Sequence, residues 1–110
     1  VHGDITCTRE LTDEQVNGDY ELETGIQITD AYQDRDPKAA PMVIVAGHAP
    51  FTWGKDAAQS VYHAALLEEI ARMAYLTRTL DPHAAELKKA VMDKHYLRKH
   101  GKNAYYGQSK

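Results

Sequence analysis

Met42 to Val45 is a continuous apolar run dominated by β-branched residues, the pattern of a short buried strand. It delivers Gly47 and His48 to its end. Pro50 then blocks continuation, and Phe51 to Trp53 resumes as a second short strand. Gly54, Lys55 and Asp56 close the hairpin and lead into a helix. That helix is predicted from Asp56, its cap, to Leu80. Leu66, Ile70, Met73, Ala74 and Leu80 form one apolar stripe, which Ala57, Val61, Ala64 and Ala65 widen. Glu68, Glu69 and Arg72 keep a narrow polar side. An apolar arc this wide predicts a helix covered on more than one side.

Leu11 to Gly25 carries a second helix signature. Thr12 and Gln15 match a capping box, Leu11 and Val16 stand where a hydrophobic staple would pack, and Gly25 supplies a stop. Gly18 weakens this helix from inside. Ile26 to Tyr32 fits two readings. Ile26 and Ile28 alternate as in a strand, whereas Ile28, Ala31 and Tyr32 fit a helix face. Gln33 to Pro41 reads as a polar loop, the most mobile segment. Asp81 and Pro82 give an N-cap followed by proline at the first helical position, and the last helix is expected to run to about His100, with Gly101 as its stop. There is no internal repeat. The elements together predict an α/β fold, a short buried hairpin packed by helices.

Composition narrows the function. The chain has 110 residues, 43% hydrophobic and 26% charged, with a formal net charge of −3. That suits one domain with a modest core. No basic stripe points to nucleic acid. No signal peptide is expected, and no apolar run in these residues is long enough to span a membrane. The single cysteine, Cys7, excludes an internal disulfide, reads as a packing residue and fits a reducing compartment, so a cytoplasmic protein is expected.

Two places carry candidate chemistry. His48 leaves a buried strand backed by Gly47, so a rigid element would hold it while its ring faces open space. That is a good mount for a metal ligand, and equally the place of a hydrogen-bonded structural histidine. On the last helix Ala84, Leu87, Val91, His95 and Arg98 fall within one arc of about 80°. An apolar stripe that turns into His and Arg is a candidate site wall. The alternative is that both residues complement the helix dipole, with Lys99 and His100. The six histidines include no H-x-H pair and no H-x-x-x-H pair on a common face. One well-mounted ligand cannot hold zinc alone, since zinc sites use three or four. Neither a Gly-rich phosphate loop nor a nucleophile elbow is present.

GDITCTRELTDEQVNGDYELETG, HAPFTWGKDA and above all DKHYLRKHGKNAYYGQ resemble the L-ribulose-5-phosphate 4-epimerase group of the class II aldolase family. The likeness runs from Gly3 to Gln108 and concerns the second half of such proteins. The first half of those proteins carries an H-x-H pair of zinc ligands, phosphate-binding loops and an H-A-D-Y-F segment with a catalytic Asp. The resemblance therefore implies that residues 1–110 are the C-terminal part of a three-layer class II aldolase-like domain. It assigns His48 to the remaining zinc-binding histidine and Tyr106 to the catalytic tyrosine, and it places His95 and Arg98 near the site. It implies zinc as the divalent metal, a phosphorylated pentulose as substrate and a homotetramer in which the tyrosine serves an adjacent subunit. The isolated chain is then expected to be inactive and to bind zinc weakly, its tail tyrosines Tyr105 and Tyr106 packing on a neighbour. Ala49 and Thr52 replace a glycine and an alanine usual in the group, and Ala49 is expected to strain the His48 turn if that glycine needs a positive φ. A sibling enzyme for another phosphorylated sugar and a non-catalytic assembly remnant are the alternatives.

Overall fold

A computed structural model of the chain describes residues 1–104. Tyr105 and Tyr106, and with them the expected packing of the tail, lie outside the described residues. The central strand, β2 (Met42–Ile44), is paired on both sides. On one side lies β1 (Thr6–Cys7), parallel, with Thr6 opposite Val43. On the other lies β3 (Pro50–Thr52), antiparallel, with Met42 opposite Thr52 and Ile44 opposite Pro50. Proline is tolerated there because β3 is an edge strand. The expected hairpin is present, with its second strand shifted to begin at Pro50. The sequence reading did not predict β1. Two residues are too short to show alternation, and only a long-range parallel pairing defines them.

Four helices form among the described residues. The capping box at Thr12 is present, the Gln15 amide N–H donating to Thr12 Oγ1 and the Gln15 side chain accepting from Thr12 N. The helix it opens, α1 (Asp13–Asn17), ends at once at Gly18, and a new helix, α2 (Tyr20–Ala31), starts behind the Asp19 cap. The single helix expected over Leu11 to Gly25 is thus two. Gly18 breaks the run, and Gly25 lies inside α2 instead of ending it. The ambiguous stretch Ile26 to Tyr32 resolves as helix through Ala31, with Tyr32 as its C-terminal cap. Cys7 is exposed, so it is not the packing residue expected.

The long helix α3 (Ala57–Leu80) forms as predicted behind the Asp56 cap. Its first turns are fastened to β3. Thr52 Oγ1 donates to the Ser60 carbonyl at 2.9 Å, and Ser60 Oγ returns to the Thr52 carbonyl at 3.0 Å. The expectation of cover on several sides fails within the chain. Only Leu67 is buried, and every residue from Ala71 to Leu80 is exposed. The last helix, α4 (Lys89–His100), begins seven residues later than predicted, while Gly101 ends it as expected. Asp81 instead caps the end of α3 and closes a turn by accepting from His83 N. Arg78 ties up the Pro82 and Ala84 carbonyls. Ala84 and Leu87 therefore fall outside the helix whose face they were expected to share.

The core is small. Ala40, Met42, Val43, Val45 and Leu67 are its buried apolar residues, with Met42 and Val43 fully inaccessible. The radius of gyration is 16.2 Å, against about 13 Å for an ordinary globular domain of this length. The Tyr32 hydroxyl closes one end of this core. It sits between the carbonyls of Ala40 and Met42, to which it donates, and its ring meets Trp53 edge-on at 5.1 Å. Burial raises the pKa of Tyr32 above its ordinary value, outweighing the lowering by the Met42 contact and Arg35. Removing the hydroxyl in Tyr32→Phe is expected to lower unfolding stability by about 1–2 kcal/mol, because two carbonyls lose their donor. Urea titration checks this. The sign in pH follows from the raised value. The hydroxyl's contribution is present below the ordinary tyrosine range and is lost as pH rises through the raised folded-state pKa.

Candidate active site

His48 stands in the turn between β2 and β3. Val45 N–H donates to the Ala49 carbonyl and His48 N–H to the Val45 carbonyl, which closes the turn at 3.2 and 3.1 Å. Gly47 provides the left-handed residue, φ +70°, and no residue other than glycine has positive φ among the described residues. Ala49 therefore sits in ordinary backbone, and the strain that was expected there is absent. Thr8, itself buried, holds the exit of β2 through Thr8 Oγ1, which accepts from Ala46 N at 3.2 Å. The exposed His48 ring stacks on Phe51 with centroids 5.3 Å apart and tilts toward Tyr20 at 6.3 Å. It borders a recess of about 280 Å3 with Glu10, Leu11 and Val16.

His95 and Arg98 lie elsewhere. Both are on α4 and border a recess of about 510 Å3 with Val1, Tyr96, Lys99 and His100. Among the described residues none borders both this recess and that of His48. Within one chain the structure brings His95 and Arg98 together and leaves His48 apart from them. Tyr106, the candidate catalytic tyrosine, lies outside the described residues. The wall reading of α4 keeps Val91, His95 and Arg98 on the helix; Ala84 and Leu87 fall before Lys89, yet Leu87 still borders the recess of His95 and Arg98.

What fixes α4 is the start of the chain. His2 Nε2 lies 2.6 Å from Asp93 Oδ1, the His2 ring is 4.6 Å from that of Tyr96, and Gly3 N–H points at Met92 Sδ at 3.3 Å. His2 N–H in turn donates to the Ala39 carbonyl, and Arg35 donates to that of Asp4. The segment before β1 is thus the link between α4 and the body of the fold. Sequence reasoning missed this clamp, and it missed Glu10 beside His48. Both depend on β1, whose parallel pairing sets residues 2–11 along the sheet.

A metal site can be tested against these donors. Among the described residues no three His, Cys, Asp or Glu side chains gather where one ion would reach them. At the His48 recess only one imidazole and one carboxylate, Glu10, are offered. That is short of the three or four ligands zinc takes. The described residues do not fit a complete metal centre; what they offer there is one firmly mounted, exposed imidazole.

Residues 1–75 match the family described as the class II aldolase and adducin N-terminal domain. The matched stretch is more than half of the chain, and the chain belongs to this family. Class II aldolase family members are typically lyases or epimerases and generally depend on a divalent metal. The small sheet with its helices is a mixed α/β arrangement consistent with a fragment of that fold. His48 lies inside the matched stretch; His95, Arg98 and Tyr106 lie beyond it. No helix among the described residues is long and apolar enough to cross a membrane.

The clamp on α4 has a pH dependence. The Lys89 ammonium, and after it His2, holds the Asp93 carboxyl below the ordinary aspartate range. A depressed folded-state pKa contributes stability above the ordinary aspartate value and loses it as pH falls through the depressed one. Acid should therefore weaken the contacts of Asp93 with Lys89 and His2. Hydrogen exchange of the Lys89–His100 amides is expected to speed up selectively in Asp93→Asn at neutral pH, with the Met42–Ile44 amides unchanged.

Proposed function

We propose that this chain is the C-terminal part of a zinc-dependent L-ribulose-5-phosphate 4-epimerase. Such an enzyme interconverts L-ribulose 5-phosphate and D-xylulose 5-phosphate by breaking the C3–C4 bond and re-forming it on the other face of the aldehyde. The reading rests on family membership and on one observation above all. An exposed histidine stands on a left-handed glycine turn at the end of a largely buried strand, inside the matched stretch. A ligand imidazole must be held still yet reachable, and this mount does both.

In this reading His48 supplies one ligand, and the remaining donors come from a segment outside this chain. The metal supplies Lewis-acid polarisation when bound. The chain's own work is to hold His48 and to bring up a proton-transfer group. The resemblance gives that role to the phenol of Tyr106, which exchanges a proton with the C4 hydroxyl of the sugar. His95 and Arg98 would stand near that phenol from an adjacent subunit and favour its ionised form. An assembled tetramer is part of the proposal. The exposed Met73, Tyr75, Leu76 and Leu80 of α3 are large apolar side chains with no cover in the single chain, and they support it.

The test joins this chain to a preceding family segment that carries the H-x-H pair and the H-A-D-Y-F sequence. A coupled assay then measures D-xylulose 5-phosphate formed from L-ribulose 5-phosphate. The joined protein is expected to turn over, and Tyr106→Phe is expected to lower kcat by about 100-fold or more. Unchanged kcat in Tyr106→Phe would remove that residue from the reaction. Absence of turnover with this substrate, together with activity on another phosphorylated sugar, would make the chain part of a sibling enzyme.

A further inference from the structure

The other end of the hairpin carries a groove that shares no residue with the His48 recess. Two hollows of about 500 and 520 Å3 meet there and have Lys38, Pro41, Gln59 and His63 in common. Pro37, Pro41 and Trp53 wall the first. The walls are fixed. Trp53 Nε1 donates to the Pro37 carbonyl at 2.8 Å, and the indole meets the ring of Tyr32 edge-on. The two hydrogen bonds between Thr52 and Ser60 lock α3 against β3 beside it.

The charge of the groove opposes that of the chain. The net charge is −3, yet among the described residues no Asp or Glu lines either hollow, while Lys38, Lys55 and Lys99 do. Neither Lys38 nor Lys55 is in an ion pair among the described residues. His63 is anchored through Nδ1 to the Trp53 carbonyl, which leaves its Nε2 without a hydrogen bond among the described residues. Lys38 and Lys55 are exposed and solvated, so what they supply is charge complementarity: cations at the rim of an apolar slot suit an anion that also has an apolar body.

We propose that this groove binds a small phosphorylated molecule with a flat ring, of the nucleotide kind. The ring lies against Trp53 and the two prolines, and the phosphate sits between Lys38 and Lys55, within reach of His63. A dianion suits two lysines better than a single carboxylate. A pentulose phosphate brings the charge but lacks the flat apolar face, so this ligand is distinct from the substrate proposed above. The two proposals stand or fall separately.

Trp53 is the only tryptophan, so its indole N–H gives one resonance and a site-specific reporter. Adenosine monophosphate is the probe, titrated into the chain and followed by that resonance. A saturable shift is expected, with adenosine binding at least about tenfold more weakly because it lacks the charge-assisted contacts. The Lys38→Ala/Lys55→Ala variant should weaken the probe by about tenfold or more. The Lys38→Arg/Lys55→Arg variant should retain most of the affinity, and thermal melting of both should match the unaltered chain. Four results would overturn the proposal: no saturable shift, equal affinity for adenosine, equal affinity for L-ribulose 5-phosphate, or undiminished binding in a folded alanine variant.

Discussion

Burial of β2 between two unlike neighbours is the constraint on which the other elements depend. Met42 and Val43 are inaccessible to solvent, and the strand pairs with β1 on one edge and β3 on the other. A strand so placed has no spare backbone group. Where pairing ends, side chains take over, Tyr32 at its start and Thr8 at its exit. The His48 turn inherits its rigidity from this strand. So does α3, because the contacts that fasten it run through β3, the other arm of the hairpin.

Beyond that strand the chain has little interior. α3 reaches past the sheet with its second half uncovered, and α4 is attached through the first residues of the chain instead of through a packed face. The hydrophobic gain from five buried apolar residues is small for 110 residues. In the assembly proposed above, a partner surface would cover the apolar arc on α3 that the single chain leaves exposed.

The legible parts of the fold were those written in local chemistry. The apolar run at Met42, the Thr12–Gln15 box, the Asp56 cap and the Gly101 stop each rest on residues within a few positions of one another. Gly18 and Gly25 exchanged roles because both are permissive, and which one interrupts the helix is decided by the competing cap at Asp19. The start of α4 moved because Arg78 and Asp81 captured the backbone that Pro82 was expected to lead into a helix. β1 and the His2–Asp93 clamp were illegible, for their partners lie tens of residues away. The mount of His48 was readable from its strand and glycine; the neighbours of its ring, Glu10 and Tyr20, needed the sheet to bring them there.

His48 as a metal ligand is the central claim, and metal content tests it most directly. The chain, joined to a preceding family segment that carries the H-x-H pair, would be dialysed and analysed for bound zinc by atomic emission, beside the His48→Ala variant. The account predicts stoichiometric zinc in the unaltered protein and its loss in His48→Ala, with circular dichroism unchanged because the ring is exposed and lies outside the buried core. Stoichiometric zinc retained by a folded His48→Ala protein would contradict it.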